Sequence, residues 1–303
     1  MRPTIIYALM IVIASSSYGI LSTIVKLAMQ AGFSSAEAIT SQYVFGFILT
    51  FILFILTKQE WPQLNLRGGF LIILAGIFTA ITGIVYGHSL NFLPASLAVV
   101  MLFQFTWIGL LIDCILKRRL PTRAEAISLP FLFAGTILAA GILDVNLSTI
   151  PLKGWIYGLL SALSFAIFIQ INSRPVKGIS TITRTFIISV VALILISLVL
   201  TPEIIWNGQL INNGLWKYGL ILGTFGIILP ILLLSIAVPK VGGGLASILS
   251  AMELPVAIFV SVLVLNEAIS SLQIIGILLV LIGMVLPSYF DLLRSKRKFT
   301  NTT

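Results

Sequence analysis

The stretch GGGLASILSAMELPVAIFVSVLVLNE, residues 242–267, is long and apolar enough to cross a bilayer as one helix. It carries one carboxylate, Glu253, near its middle, and a proline, Pro255, two residues later. An ionised side chain inside hydrocarbon costs ~3 kcal/mol or more unless it faces a cavity or a partner. Proline lacks the backbone N–H and kinks or opens a helix. We therefore predict a helix disturbed at Pro255, with a functional role for Glu253.

The composition excludes an ordinary soluble protein. Of the 303 residues, 59% are hydrophobic and 9% are charged, the mean hydropathy is +1.15, and a soluble domain has about 25% charged residues. The net charge of +9 indicates basic cytoplasmic loops rather than nucleic-acid binding, because no basic patch is interleaved with aromatic residues. The single Cys114 excludes a disulfide framework or a cysteine metal cluster. We expect an all-α integral membrane protein without a cofactor, a metal or a nucleic-acid partner.

Apolar segments of about 20 residues follow one another along the chain, separated by short polar breaks. The first begins with a basic residue, like a signal peptide, but its apolar run is too long and further segments follow, so we interpret it as a retained helix. We predict ten spans at residues 5–29, 36–57, 68–88, 95–116, 124–143, 154–172, 183–200, 216–238, 245–265 and 271–289.

The distribution of basic residues supports ten spans. With the N-terminus in the cytoplasm, 15 of the 18 lysines and arginines lie on the cytoplasmic side, and the other three are Lys26, Lys153 and Lys217. This imbalance follows the positive-inside rule, and one span more or fewer would invert the later loops. We predict a multi-pass protein of the plasma membrane with both termini in the cytoplasm.

Two stretches of the sequence align without gaps at an offset of 148 residues, one from Pro94 and one from Gly242. Gly135 then matches Gly283, and upstream SSSYG at 15–19 matches ALSFA at 162–166 with a slip of one residue. Each copy holds five spans, an odd number, so the second copy lies inverted in the membrane. We predict two inverted five-helix repeats, residues 1–147 and 148–303. In secondary transporters of this architecture the substrate site lies between the halves near the midplane.

The region from Leu245 onward resembles the EamA domain of the drug/metabolite transporter superfamily. The features that carry the resemblance are Leu245-Ala246-Ser247, Glu253-Leu254-Pro255, Asn266-Glu267, and the helix from Gly276 to Gly283. The first copy departs from this pattern, with Gln104-Phe105-Thr106-Trp107 and Lys117-Arg118-Arg119 at the corresponding places. The resemblance covers essentially the whole chain and implies ten helices, a cytoplasmic N-terminus and movement of small organic solutes, often outward. The superfamily spans amino acids, sugars, nucleotide precursors and drugs, so no particular substrate is implied.

Two polar residues are expected to line a central cavity. Glu253 lies about eight residues into its helix, roughly 12 Å at 1.5 Å per residue, which is near the centre of a ~30 Å core. Gln104 reaches a similar depth from the opposite face. Burial favours the neutral form of a carboxylic acid, so Glu253 is a candidate proton carrier. The alternative is that Glu253 only accepts hydrogen bonds from helix ends disturbed by Pro255.

Other candidate residues are aromatic, titratable or disturb a helix. His88, the only histidine, is a candidate titrating gate or an ordinary interfacial side chain, and Tyr86 and Asn91 would extend a polar site beside it. Aromatic walls suit planar or cationic solutes, although such residues also pack or face lipid. The candidate wall residues are Tyr18, Phe103, Phe105, Trp107 and Phe165, with Gln170 and Asn172 as further polar candidates. Pro230 is a second expected helix break, and Asp113 is expected to pair with Lys117 four residues on.

These features favour a secondary transporter that exports a small organic metabolite or drug-like compound by alternating access, with proton coupling through Glu253. The expected partners are the small-molecule substrate, the lipid bilayer and protons, and both a monomer and a homodimer stay open. No Walker-type motif is present, so a gradient or an exchange would supply the energy. A passive channel or a transporter-like sensor is the alternative. A membrane-embedded enzyme is disfavoured, because one histidine, one cysteine and one central acid cannot assemble its usual site.

Overall fold

The computed structural model describes residues 2–59, 66–93, 95–139, 151–200, 202–265 and 269–300, and these residues contain no strand. The chain is a bundle of α-helices, as predicted. Their bounds are α1 Arg2–Gln30, α2 Ser35–Leu56, α3 Leu66–Leu90, α4 Ala95–Phe103, α5 Phe105–Leu116, α6 Arg123–Ala139, α7 Leu152–Asn172, α8 Thr181–Val199, α9 Leu215–Gly223, α10 Leu229–Val241, α11 Gly243–Leu249, α12 Glu253–Leu265 and α13 Ser271–Thr300.

Three pairs of these helices each form one rod with an interruption. Gln104 separates α4 from α5, a π turn at Thr224–Ile228 separates α9 from α10, and a 3-10 turn at Ser250–Met252 separates α11 from α12. The predicted spans at 95–116, 216–238 and 245–265 therefore exist as helices, but none of them is a continuous α-helix.

Within the described residues, eight helical segments are long and apolar enough to cross a membrane. They are Ile5–Gln30, Ser35–Leu56, Leu66–Leu90, Leu97–Leu116, Leu152–Asn172, Thr181–Val199, Leu215–Val241 and Gly243–Leu265. The apolar part of α13, Ser271–Pro287, is shorter, and α6 has 17 residues with Pro130 inside it. The chain is thus a multi-pass membrane protein with eight spans supported by length and composition. The predicted boundary between the repeats, at 147/148, lies outside the described residues.

Several helices begin at a side-chain cap that the sequence encodes. Ser34 accepts from the N–H of Glu37, whose carboxylate in turn accepts from the N–H of Ser34. Ser270 and Gln273 form the same reciprocal pair before α13. Such boxes satisfy N–H groups that have no partner inside the helix. They fix where α2 and α13 start.

Glycines allow the closest helix crossings. A Cβ added at Gly135 of α6 would lie 2.7 Å from the backbone nitrogen of Val280 in α13, and a Cβ added at Gly276 of α13 would lie closer still to the backbone nitrogen of Ala139 in α6. Gly76 of α3 packs in the same way on Val191 of α8. Small residues of this kind are typical of packed membrane helices, since they bring backbones into contact.

Large apolar side chains cover the outside of the bundle. Leu9 is 56% exposed, Phe70 61% and Phe259 63%. A soluble monomer rarely exposes so many contiguous apolar groups, whereas lipid solvates them without cost. The outward faces are therefore those expected to contact the bilayer.

Candidate functional site

A cavity lies inside the bundle between α1, α2, α3, α4, α7 and α12. It encloses about 840 Å³ of empty space, part of which is open to the outside. Its walls are mostly aliphatic and aromatic, with a few polar groups. The lining residues named below are Tyr18, Gly19, Ile39, Gln42, Tyr43, Thr79, Thr82, Gly83, Tyr86, Val99, Leu102, Phe165, Phe168, Gly226, Glu253 and Ala257.

Among the residues that the structure describes, Glu253 is the only acidic one in this lining. It is the first residue of α12, directly after the 3-10 turn, and it is 8% exposed. Pro255 follows in the first turn of α12, where its missing N–H is tolerated. The helix disturbance predicted at Pro255 is therefore present just before Glu253, and the carboxylate lies at the interruption.

A close crossing with α1 fixes the position of Glu253. A Cβ on Gly19 would lie 2.5 Å from the backbone oxygen of Glu253 and 3.0 Å from the backbone nitrogen of Ala257. The absence of a side chain at Gly19 thus lets α1 and the start of α12 touch. The neighbouring residue, Tyr18, also lines the cavity.

Aromatic rings form one wall of the cavity. Tyr18 meets Phe165 edge to face, with ring centroids 5.5 Å apart, and Phe165 meets Phe105 in the same way at 4.7 Å. Phe168 stacks on Phe165 at 5.9 Å. Edge-to-face pairs hold rings in defined orientations. This wall includes the predicted site residues Tyr18 and Phe165.

Apart from Tyr86, the polar lining residues of α2 and α3 were not singled out from the sequence. Tyr43 donates a hydrogen bond to the backbone oxygen of Thr79, at 2.8 Å, and Gly83 leaves room for its ring. Thr82 shares a 2.7 Å hydrogen bond with Ser164 of α7. Gln42 and Tyr43 do stand out as adjacent polar residues in the predicted second span, and that is the signal that could have identified them.

Gln104 and Trp107 do not line the cavity, contrary to the expectation for their position. The Gln104 amide nitrogen donates to the backbone oxygen of Val100 at 3.0 Å. Its oxygen accepts from Trp107 Nε1 at 2.8 Å. The two side chains therefore satisfy each other at the interruption between α4 and α5, and the cavity wall of α4 consists of Val99 and Leu102 instead.

His88 also lies apart from the cavity. Its ring stacks on Tyr157 at a centroid distance of 5.4 Å, and Phe92 also stacks on Tyr157, at 6.1 Å. Tyr86, two residues earlier, lines the cavity. Residues two apart on a helix point to different sides, so His88 and Tyr86 cannot share one site. Asn91 accepts a hydrogen bond from Ser35 at 3.3 Å.

The polar residues of α7 are used in packing. Gln170 donates to the backbone oxygen of Gly109 at 2.7 Å, and Asn172 donates to the backbone oxygen of Phe168 at 3.2 Å. Ser235 of α10 donates to Asn172 at 3.4 Å. The bond from Gln170 joins α7 to α5, and the bond from Ser235 joins α10 to α7.

An ion-pair cluster lies where α5 ends and α6 begins. Lys117 pairs with the buried Asp113 at 2.8 Å, which confirms the predicted contact. Arg119 bridges Asp113 and Glu125, both at 2.7 Å. The hydrogen bonds to Glu125 and Asp113 raise the pKa of the Arg119 guanidinium, so it stays charged.

The glycine run before α11 packs against this cluster. A Cβ on Gly244 would lie 2.9 Å from a carboxylate oxygen of Asp113, and one on Gly243 would overlap Gln170. Gly242 has a φ of 90° and faces the Lys117 ammonium. The start of α11 is therefore pressed onto α5 and α7, and it closes this end of the bundle.

Pro230 follows the π turn at Thr224–Ile228 and lies in the first turn of α10. The helix break expected at Pro230 is thus present as a π turn. Gly226 in this turn contacts Gln42 and also lines the cavity. Asn266 and Glu267 lie outside the described residues. The described residues contain no group of three or more His, Cys, Asp or Glu side chains able to hold a metal ion.

A multi-pass helical membrane protein with a closed end, an internal cavity and one acid in its wall has the form of a solute transporter. Residues 152–289 match the model of the EamA-like transporter family. The match confirms, for these residues, the resemblance found in the sequence; they make up a little under half of the chain. Because the family consists of transporters, the match also supports a protein that is not an enzyme.

Comparison with solved structures supports the fold. A crystal structure of another protein has a TM-score of 0.67 at 14% identity, and the similarity covers 93% of this chain and 96% of that one. At this identity the likeness concerns the fold alone. No functionally curated protein matches the sequence significantly.

Proposed function

We propose that this protein is a secondary active transporter that exports a small organic metabolite or drug-like compound by alternating access through the cavity, with proton coupling at Glu253. The observation that carries the proposal is one buried carboxyl group in the wall of an otherwise uncharged, tyrosine-lined cavity. A carboxyl group in such surroundings takes up and releases a proton more readily than it holds a permanent charge. Proton binding at Glu253 therefore competes with substrate binding in the same space.

The aromatic wall indicates the chemistry of the substrate. Tyr18, Tyr43, Tyr86 and Phe165 offer ring faces and edges, and Gln42 and Thr82 offer a small number of hydrogen bonds. Sites of this kind bind compact organic molecules, with apolar contacts for affinity and few polar groups for orientation. A planar or cationic solute fits the wall best.

The proposed architecture has ten spans in two inverted repeats, with α6 and the apolar part of α13 as the two shorter spans. Its support is the matching position of two helix interruptions. At the offset of 148 residues, Gln104 corresponds to Met252, and these residues lie in the α4–α5 and α11–α12 interruptions. The pairing of α6 with α13 through Gly135 and Gly276 joins the last helix of each half.

With the N-terminus in the cytoplasm of a plasma-membrane protein, the ion-pair cluster lies at the cytoplasmic end. The lining residues Ile39 and Val99 come early in helices that would start outside. The cavity then extends from Glu253 toward the exterior while the cytoplasmic end is closed. This arrangement is an outward-facing state of an alternating-access cycle.

Transport in proteoliposomes tests the proposal. A panel of metabolite classes is first screened for thermal stabilisation of the purified protein, because a ligand stabilises the state that it binds. The best ligand is then assayed with and without a pH gradient. We expect the wild type to accumulate ligand against its gradient when a pH gradient is imposed.

The matched pair for this assay is Glu253→Gln and Glu203→Gln, because Glu203 is an exposed acid outside the cavity. Glu253→Gln is expected to keep its fold and lose pH-driven accumulation, and Glu203→Gln to behave as the wild type. Equilibration without accumulation in the wild type would show a passive channel. Undiminished pH-driven accumulation by Glu253→Gln would show that Glu253 does not couple proton movement to transport.

A further inference from the structure

Arg184 is a charged residue in an apolar position. It lies near the start of α8, after the cap at Ser180, which accepts from the N–H of Thr183. On the same face one, two and three turns further on are Ile188, Ala192 and Ile196, all fully buried. Arg184 itself is only 4% exposed. Packing alone would favour an aliphatic residue here, so the guanidinium needs another explanation.

The guanidinium of Arg184 is unsatisfied. Its Nε and Nη2 atoms are buried and have no hydrogen-bond partner in the part of the chain that the structure describes. Arg119 makes the contrast clear, because it donates to two carboxylates. A buried charge without a partner is strongly unfavourable, and proteins normally pair it. Among the described residues nothing neutralises this charge, so its two donors are open to an anionic ligand.

The two free donors indicate the shape of that anion. Nε and Nη2 lie on the same edge of the planar guanidinium, and together they form a two-pronged donor that matches two oxygens of one oxyanion. A helical side chain leans toward the helix N-terminus, and the N-terminus of α8 carries a partial positive charge that favours anions. The exposed Lys177 in the preceding loop adds to this positive field.

We propose that Arg184 and the N-terminus of α8 form a binding site for a phosphate group, carried either by an anionic lipid or by a small phosphate-bearing solute. The site is separate from the transport cavity, whose lining does not include Arg184. The helix that carries it, α8, packs against α2, α3 and α10. The site does not depend on the transport mechanism proposed above.

Thermal unfolding of the full-length protein, purified without phosphate, tests the site in two arms. In the first, inorganic phosphate is compared with potassium chloride at equal ionic strength. In the second, nanodiscs of phosphatidylglycerol are compared with nanodiscs of phosphatidylcholine. We expect the wild-type Tm to rise by about 3 °C or more in at least one arm, because a ligand stabilises the folded state that binds it. A rise with inorganic phosphate assigns a solute, and a rise with phosphatidylglycerol alone assigns a lipid headgroup.

Arg184→Gln is expected to lose this rise, and Arg174→Gln, which removes the same charge from an exposed position, is expected to keep it. If Arg184→Gln does not fold, Arg184→Lys decides, because lysine keeps the charge without the two-pronged edge. Less than half of the wild-type rise in Arg184→Lys supports the site. The proposal is overturned by a wild type that responds in neither arm, by equal losses in Arg184→Gln and Arg174→Gln, or by an undiminished rise in Arg184→Gln or Arg184→Lys.

Discussion

Some buried charged residues of this protein are paired with one another, and two others, Glu253 and Arg184, are not part of such a cluster. Asp113, Arg119 and Glu125 satisfy one another through short ion pairs at a closed end of the bundle. Glu253 faces the cavity, and Arg184 has no partner for two of its donors in the described residues. Paired charges hold helices together, whereas the other two are available to a proton or a ligand.

Arg119→Gln tests the ion-pair cluster. It leaves Glu125 without its cation and Asp113 with Lys117 alone. Loss of one partner of a buried pair costs 3–5 kcal/mol, and because Arg119 retains 29% side-chain exposure we expect a loss of roughly 2–4 kcal/mol in the free energy of unfolding. Denaturant or thermal unfolding in detergent measures it.

The matched control is Arg118→Gln, the same change one residue earlier at an exposed position. We expect its effect to stay within ~0.5 kcal/mol. An equal loss in both variants would mean that the overall positive charge of the loop, and not the cluster, stabilises this end.

Part of the site could be predicted from single residues and part could not. Glu253, Tyr18, Tyr86 and Phe165 were all candidates, and all four line the cavity. Their functional roles stay predictions. Gln104 was a candidate by depth alone, but depth does not determine which way a side chain turns, and Trp107 three residues on provides a local partner. Helical spacing predicted only Lys117 as the partner of Asp113. Arg119 lies beyond the helix end, where helical spacing no longer applies.

At the scale of helices, proline predicts that a helix is disturbed but not how. Pro255 and Pro230 were expected to mark breaks, and one lies after a 3-10 turn and the other after a π turn. The interruption at Gln104 has no proline to signal it. Its cause is tertiary packing, which a linear pattern does not contain.

The α1–α12 crossing is the helix contact on which the position of Glu253 depends. Gly19→Ala places a Cβ 2.5 Å from a backbone oxygen that cannot move independently of α12. We expect a loss of about 1–3 kcal/mol in the free energy of unfolding, the usual range for overpacking. Thermal unfolding of the purified protein is the measurement.

Gly69→Ala in α3 is the control for this change, since a Cβ added at Gly69 would have no neighbouring atom within 4 Å. Alanine is the better helix former, so Gly69→Ala is expected to be neutral or to stabilise by up to ~1 kcal/mol. Similar behaviour of the two variants would show that α1 and α12 do not depend on this close approach.

At the scale of the whole molecule, composition predicted a helical membrane protein and charge predicted its orientation. Length and apolarity support eight spans in the described residues. The two remaining predicted spans are α6 and α13. The described part of α6 has 17 residues with Pro130 inside it, and the described apolar part of α13 is Ser271–Pro287. Whether a helix crosses a bilayer depends on the lipid around it as well as on its own sequence.

Cysteine labelling decides whether α6 crosses. Cys114→Ala removes the single cysteine, and Leu120→Cys or Lys153→Cys then places one thiol at an exposed position before or after α6. With ten spans and a cytoplasmic N-terminus, we expect an impermeant maleimide to label Lys153→Cys in intact cells and Leu120→Cys only after permeabilisation. Labelling of both from the same side would exclude α6 as a span.

The π turn at Thr224–Ile228 affects the residue-by-residue alignment of the two halves of the chain. A π turn accommodates one residue more than the α-helical turn it replaces. The sequence alignment of the halves slips by one residue between the match at Ala162 and the match at Gly242, and the turn lies inside that interval. The surplus residue can therefore reside within a helix instead of a loop. Structural superposition of the halves would then lose its register at Gly226, in the wall of the cavity.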